Sequence, residues 1–151
     1  MNNSQVMLFK NILVPWDGSK HSIRAFKMAL DLAKKYSSKI SVIHCIESEA
    51  YRGQWYPDSR YSKVVIQTQM KTAKIEIDKL VSMAKTMGVP ISSNILVADS
   101  VVKQIVTYAK SKKMELVVMG SHGRTGWSKV LHGSVTNGVS QHLHCPVLIV
   151  K

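Results

Sequence analysis

Apolar and polar positions follow two rhythms along this chain. Apolar-rich runs at NILVP (11–15), KISVIHCI (39–46), ISSNILVA (91–98), ELVVMG (115–120) and PVLIVK (146–151) read as strands. Between them the apolar positions recur at helical spacing. Behind Ser19 as an N-cap, Ile23, Phe26, Ala29, Leu30, Ala33 and Tyr36 share one face. From about Lys63 to Met87 a longer stripe runs through Ile66, Met70, Ala73, Ile77, Leu80, Ala84 and Met87. Gly88 can cap its end and Pro90 blocks continuation. Asp99 or Ser100 can cap a third helix, SVVKQIVTYAKSKK, and a short fourth is expected over roughly 132–143.

Strand and helix therefore alternate from end to end, and the strands are apolar on both faces. That combination marks a parallel sheet covered by helices on both sides. Right-handed crossovers make it a doubly wound open sheet, an α/β fold. Such sheets bind ligands at the carboxyl ends of strands, where the strand order reverses. The loops that would edge this crevice are PWDGS after the first strand and GSHGRTG after the fourth. Only ESEAYRGQWYPDSRYS (47–62) breaks the alternation. Its Tyr51, Trp55, Tyr56 and Tyr61 fit a lid over a ligand, a partner surface, or packing on the domain's own flank.

The 151 residues suffice for one domain with a full core, spanning 1–151. No apolar run approaches the roughly 20 residues that cross a bilayer. The start, MNNSQVMLFKNILVP, has no charged segment followed by a long apolar one. A cytoplasmic protein is expected. Cys45 and Cys145 belong to no paired-cysteine motif and read as small buried apolar residues. Lys and Arg number 21 against 9 Asp and Glu, a net charge of +12, which attracts phosphates of every kind. The cations are scattered over helical segments without a block of five, which argues against dedicated nucleic-acid binding.

Candidate chemistry concentrates in GSHGRTGWSKVLHGSV (120–135). Gly120, Gly123 and Gly126 allow close backbone approach to a ligand. Ser121, Thr125 and Ser134 add hydroxyls, Arg124 a fixed charge, and Gly133-Ser134 opens a helix whose first N–H groups favour an anion. These parts suit the phosphates of a nucleotide. There is no Gly-Lys pair and hence no P-loop, and no dinucleotide fingerprint after the first strand.

What is present is G-x-x-G, nine residues, then G-[ST], carried by Gly120, Gly123, Gly133 and Ser134. With this spacing, and from KNILVPWDGS through LHGSVTNGVSQHLHCPVLIVK, the whole chain resembles the universal stress protein family in its ATP-binding branch. The resemblance implies a five-stranded parallel sheet of order 3-2-1-4-5 and an adenine nucleotide, ATP or AMP, with Mg²⁺ accompanying it. Pro15 and Asp17 match the family's P-x-D, with Asp17 near ribose, phosphates and any metal carried by the nucleotide. Cys45 falls where family members contact adenine through backbone. Met119 and Gly120 would approach the nucleotide. Gly123, Arg124, Thr125 and Gly126 would wrap the phosphates, and Ser134, Val135 and Thr136 would bind them at the helix start.

Two departures from the family pattern stand out. Trp16 replaces a small residue and could crowd the pocket or stack on its edge. Asp99, in a turn that often holds glycine, would weaken binding if it faced the nucleotide. The family also implies a homodimer through the last strand, 146–151, which would otherwise be an unprotected apolar edge.

No second carboxylate or Walker lysine accompanies Asp17, so binding is expected with hydrolysis slow or absent. His122 reads as a loop-packing or phosphate-contacting residue. His142, His144 and Cys145 are too close in sequence to complete a zinc site. Two functions remain: a nucleotide-dependent regulator in stress response docking an unknown protein, or a nucleotide-free interaction module that uses its basic surface on partners or nucleic acid.

Overall fold

The computed structural model describes residues 9–48, 59–124 and 133–151, with side chains of the middle segment from residue 63 onward. The elements are β1 (Asn11–Pro15), α1 (Lys20–Tyr36), β2 (Lys39–Glu47), α2 (Ser59–Thr86), β3 (Ile91–Ala98), α3 (Val101–Ser111), β4 (Leu116–Gly120), α4 (Ser134–His142) and β5 (Val147–Val150). The strands form one sheet of order β3-β2-β1-β4-β5, and every neighbouring pair is parallel. β1 is central: Leu13 pairs with Ser41 on one side and Val117 on the other.

Alternate residues of the strands build two cores. Ile12, Val14, Ile40, Val42, Leu116 and Val118 pack with Phe26 and Leu30 of α1 and Ile77 and Leu80 of α2. Leu13, Ile43, Val117 and Met119 pack with Ile105 and Tyr108 of α3 and Val139 of α4. Apolar surface on both faces of the central strands is what the unbroken apolar runs demanded.

The helix faces differ slightly from the spacing-based expectation. In α1, Ser22 and Ala25 are buried, whereas Ile23 is 39% exposed. α2 begins at Ser59, inside the stretch expected to lack a pattern. Residues 59–62 contain neither glycine nor proline, so nothing there stops the helix growing backward from Lys63. An apolar stripe reports burial and therefore understates the length of a helix that continues past its buried face.

The termini follow capping chemistry. Ser19 Oγ accepts from Ser22 N at 3.1 Å at the start of α1, and Ser100 Oγ accepts from Lys103 N at 3.4 Å at the start of α3. α2 ends with Gly88 at φ +70°, its N–H donating to Lys85 O and that of Val89 to Ala84 O, the paired bonds of a Schellman motif. Among the described residues no helix is long and apolar enough to cross a membrane.

Candidate functional site

The strand order reverses between β1 and β4, and the loops leaving their carboxyl ends are tied together. Asp17 sits two residues beyond β1. Its Oδ1 accepts from Ser19 N at 2.9 Å, and its Oδ2 accepts from Arg124 N at 3.2 Å across the crevice. Ser19 Oγ donates to His122 O at 3.4 Å, a second tie between the same loops.

Gly120 and Gly123 are glycine for different reasons. A Cβ on Gly120 would stand 2.7 Å from His21 Cβ and 2.8 Å from its carbonyl carbon. That glycine admits the start of α1 against the end of β4. A Cβ on Gly123 would stand 2.7 Å from Asp17 Oδ2. That glycine lets the Asp17 carboxylate lie against the loop backbone.

The start of α4 closes the other side. Gly133 N donates to Ser121 O at 2.7 Å, and the buried Thr136 sends Oγ1 to Gly120 O at 2.8 Å. The Thr136 side chain thus anchors α4 to β4. The N-cap of α4 is Gly133, and among the described residues no side chain caps it, whereas α1 and α3 both carry serine caps. The first-turn N–H groups of α4 lack the internal acceptor that those helices have. Ser134 and Val135 are exposed at this opening, and a Cβ on Gly133 would lie 3.8 Å from Gly123 N. Helix N-termini carry backbone N–H groups and a dipole that favour negative charge.

Beside the phosphate-type cradle lies a cavity of about 420 Å³, lined by residues 44–47 at the end of β2, by Thr68, Thr72 and Glu76 of α2, and by Arg124. Cys45 and Arg124 therefore border one space. The Cys45 side chain packs toward the α3–α4 core, and burial pushes its thiol up to about 11. Cys145 is likewise raised by burial, with a backbone hydrogen bond opposing. His44 Nδ1 bonds to Trp16 O at 2.8 Å, fixing the start of the β1 loop.

Several expected site residues take other places. Trp16 is buried in the α1–α2 core, and among the described residues Nε1 has no hydrogen-bond partner. It does not line the cavity. Met119 is buried against α3 and α4, so only its backbone faces the crevice end. Asp99 is exposed, just past the end of the edge strand β3, and is not among the residues lining the cavity. His122 Nδ1 bonds to Ser121 Oγ at 3.0 Å, and its ring lies 5.4 Å from that of His21. His142 Nδ1 is engaged by Gly138 O at 2.8 Å. Among the described residues no three His, Cys, Asp or Glu side chains gather into a metal-holding group. Thr125 and Gly126, and the aromatic residues Tyr51, Trp55, Tyr56 and the Tyr61 side chain, lie outside the described residues.

Glu76 escaped the sequence reading. It binds Arg124 Nη2 at 3.2 and 3.4 Å from a helix 48 positions earlier in the chain. Its only local signal is its place beside the buried Ile77, which says nothing about a partner.

Five parallel strands and a reversal of strand order between β1 and β4, with the start of α4 beside it, define a doubly wound α/β domain with a crevice at the reversal. The sequence model of the universal stress protein family matches residues 8–151, and the chain belongs to that family. It is 33% identical over 144 residues to universal stress protein MJ0531 of Methanocaldococcus jannaschii, covering 95% of this chain and 83% of that one. The fold matches universal stress protein UspA from Lactobacillus plantarum with a TM-score of 0.86, at 21% identity over 95% of this chain and 98% of that one. It also matches the Archaeoglobus fulgidus universal stress protein solved in complex with dAMP, with a TM-score of 0.68, 19% identity, and 95% and 99% of the two chains covered.

Proposed function

We propose that this protein binds an adenine nucleotide, ATP or AMP, in the β1–β4 crevice and acts as a nucleotide-dependent regulator in stress response. The observation that carries the reading is the start of α4, where Gly133 supplies no side-chain cap and the freed N–H groups lie beside Gly123. Phosphates fit there, because an anion satisfies orphan donors at the positive end of the helix dipole. The purine would occupy the cavity bordered by the Cys45 backbone. The dAMP complex of the Archaeoglobus fulgidus protein supports that ligand class. Asp17 is the carboxylate that would face a magnesium ion carried by the nucleotide. The carboxylates of Asp17 and Glu76 are both engaged, Asp17 by the Ser19 and Arg124 N–H groups and Glu76 by the Arg124 guanidinium, so slow or absent hydrolysis fits the crevice better than turnover. The working form we propose is a homodimer paired through the edge strand β5, where Leu148 is 37% exposed.

The test is direct. Purified protein is denatured and its released small molecules are separated by ion exchange, and the stripped protein is titrated with Mg-ATP and AMP while its melting temperature is followed. Co-purified adenine nucleotide, or a rise in melting temperature with either ligand, is the expected result. A nucleotide-free preparation that neither ligand stabilises would overturn the reading. Sedimentation of the same sample tests the dimer: a monomer at micromolar concentration would exclude the proposed β5 pairing.

A further inference from the structure

Three charged groups stand in a row along the β1 loop: Asp17, Arg124 and Glu76. The Arg124 backbone N–H is held by Asp17 at 3.2 Å, and its guanidinium crosses Gly18 to reach the Glu76 carboxylate at 3.2 Å. Gly18, at φ +77°, lies beneath both ends of that ion pair. A Cβ there would collide with the guanidinium and stand 2.8 Å from Glu76 Oε2. The positive φ alone calls for glycine here, and the bare backbone leaves room for Arg124 and Glu76 to meet over it. Arg124 and Glu76 also both line the cavity beside the cradle.

The pair is not a structural staple. Its side chains are 58% and 30% exposed, and solvent-exposed ion pairs contribute little to folding. It does, however, dispose of the charge at the mouth. With Arg124 turned to Glu76, its guanidinium is already engaged by a carboxylate and is not free to meet a polyphosphate at the start of α4. A guanidinium makes strong paired hydrogen bonds to phosphate oxygens as readily as to a carboxylate.

We propose that Glu76 is a latch that competes with the phosphate chain for Arg124, and so sets how strongly the site discriminates among nucleosides, monophosphates and triphosphates. This rests on the nucleotide-binding reading and adds to it a positioning residue outside the glycine motif. The more phosphate a ligand carries, the more it gains by taking Arg124, and the more Glu76 opposes it.

The experiment compares the full-length protein with Glu76→Gln, Arg124→Gln and the double variant, titrated by calorimetry with adenosine, AMP, ATP and inorganic tripolyphosphate at one magnesium concentration. In Glu76→Gln, ATP and tripolyphosphate should bind about tenfold more tightly, the change produced by 1.4 kcal/mol. AMP should gain less and adenosine nothing. The gain should vanish when Arg124 is also replaced. An equal gain for adenosine, no gain for ATP, or a gain that survives loss of Arg124 would overturn the latch. If neither the natural protein nor Glu76→Gln binds any adenine ligand, the nucleotide reading fails by itself. Tripolyphosphate then still decides the latch: tighter binding by Glu76→Gln sustains it, and no difference ends it.

Discussion

Asp17 occupies the space in which a side chain on Gly123 would begin: a Cβ there would stand 2.7 Å from Asp17 Oδ2. The carboxylate has little freedom to withdraw, because Ser19 N holds one oxygen and Arg124 N the other. Asp17 therefore links the two loops at Gly123.

Gly123→Ala should consequently cost about 1 kcal/mol of stability by displacing Asp17 from those two bonds. Asp17→Ala alone should cost a similar amount. Since both variants break the same contact, their effects should not add, and the double variant should be no less stable than Asp17→Ala by more than about 0.5 kcal/mol. Urea unfolding of the four proteins checks this. Strict additivity would mean the contact does not constrain the loop.

Gly133→Val acts at the other side of the cradle. A Cβ on Gly133 meets only ordinary contacts, 3.5 Å from His122 Cα and Ser121 O, so the fold should persist with an unchanged melting temperature. The branched methyls would cover the route to the α4 N–H groups and Gly123 N. Phosphate-bearing ligands should then bind at least about tenfold more weakly, the equivalent of ~1.4 kcal/mol, as read by calorimetry. Unchanged affinity in a folded Gly133→Val protein would place the phosphates elsewhere.

Most of this architecture could be read from the chain, because buried parallel strands and amphipathic helices write their environment into local pattern. Ile12 to Val14 and Leu116 to Val118 are apolar on both faces since helices cover both faces, and no long-range knowledge is needed to see it. The glycine spacing likewise located the crevice. What stayed hidden depends on contacts between distant segments. Gly120 looks like a ligand-facing glycine by sequence, yet its missing side chain admits His21. Thr136 stands at the start of α4 by sequence, and nothing local shows that its hydroxyl anchors the helix through Gly120 O. Trp16 looks poised at the pocket edge, but the side-chain parity after β1 sends it into the α1–α2 core. Glu76 lies on a helix face whose periodicity carries burial and nothing about charge partners.

The two serine caps offer a graded test of how the crevice loop is held. Ser19 Oγ serves both as the α1 cap and as donor to His122 O, and Ser19 is buried. Ser100 Oγ makes an exposed 3.4 Å cap to Lys103 N. Ser100→Ala should cost about 0.5 kcal/mol and Ser19→Ala about 1–2 kcal/mol, within the range for N-cap removal. Ser19→Ala should also weaken phosphate-bearing ligands, because it frees the 121–123 segment from α1, while Ser100→Ala should leave affinity untouched. Equal stability losses, or an affinity loss in Ser100→Ala, would contradict the assigned roles.

Cys45 gives the fold a pH dependence with a definite sign. Burial raises its thiol from the ordinary 9.0 to about 11, so between those values the unfolded chain releases a proton that the folded chain keeps. The contribution is fully present below pH 9 and is lost as pH rises through 11, destabilising the fold by about 2–3 kcal/mol at the upper end. Every other titratable group is common to the natural protein and Cys45→Ala. Subtracting the two unfolding free energies, measured in urea at steps from pH 8 to 11, isolates the thiol. The natural protein should lose stability relative to Cys45→Ala across that interval, and at pH 8 its Cys45 should resist alkylation by iodoacetamide until urea unfolds the chain. Parallel stability curves, or prompt alkylation of the native protein at Cys45, would show that the thiol is not held in the low-dielectric setting between β2 and the α3–α4 core.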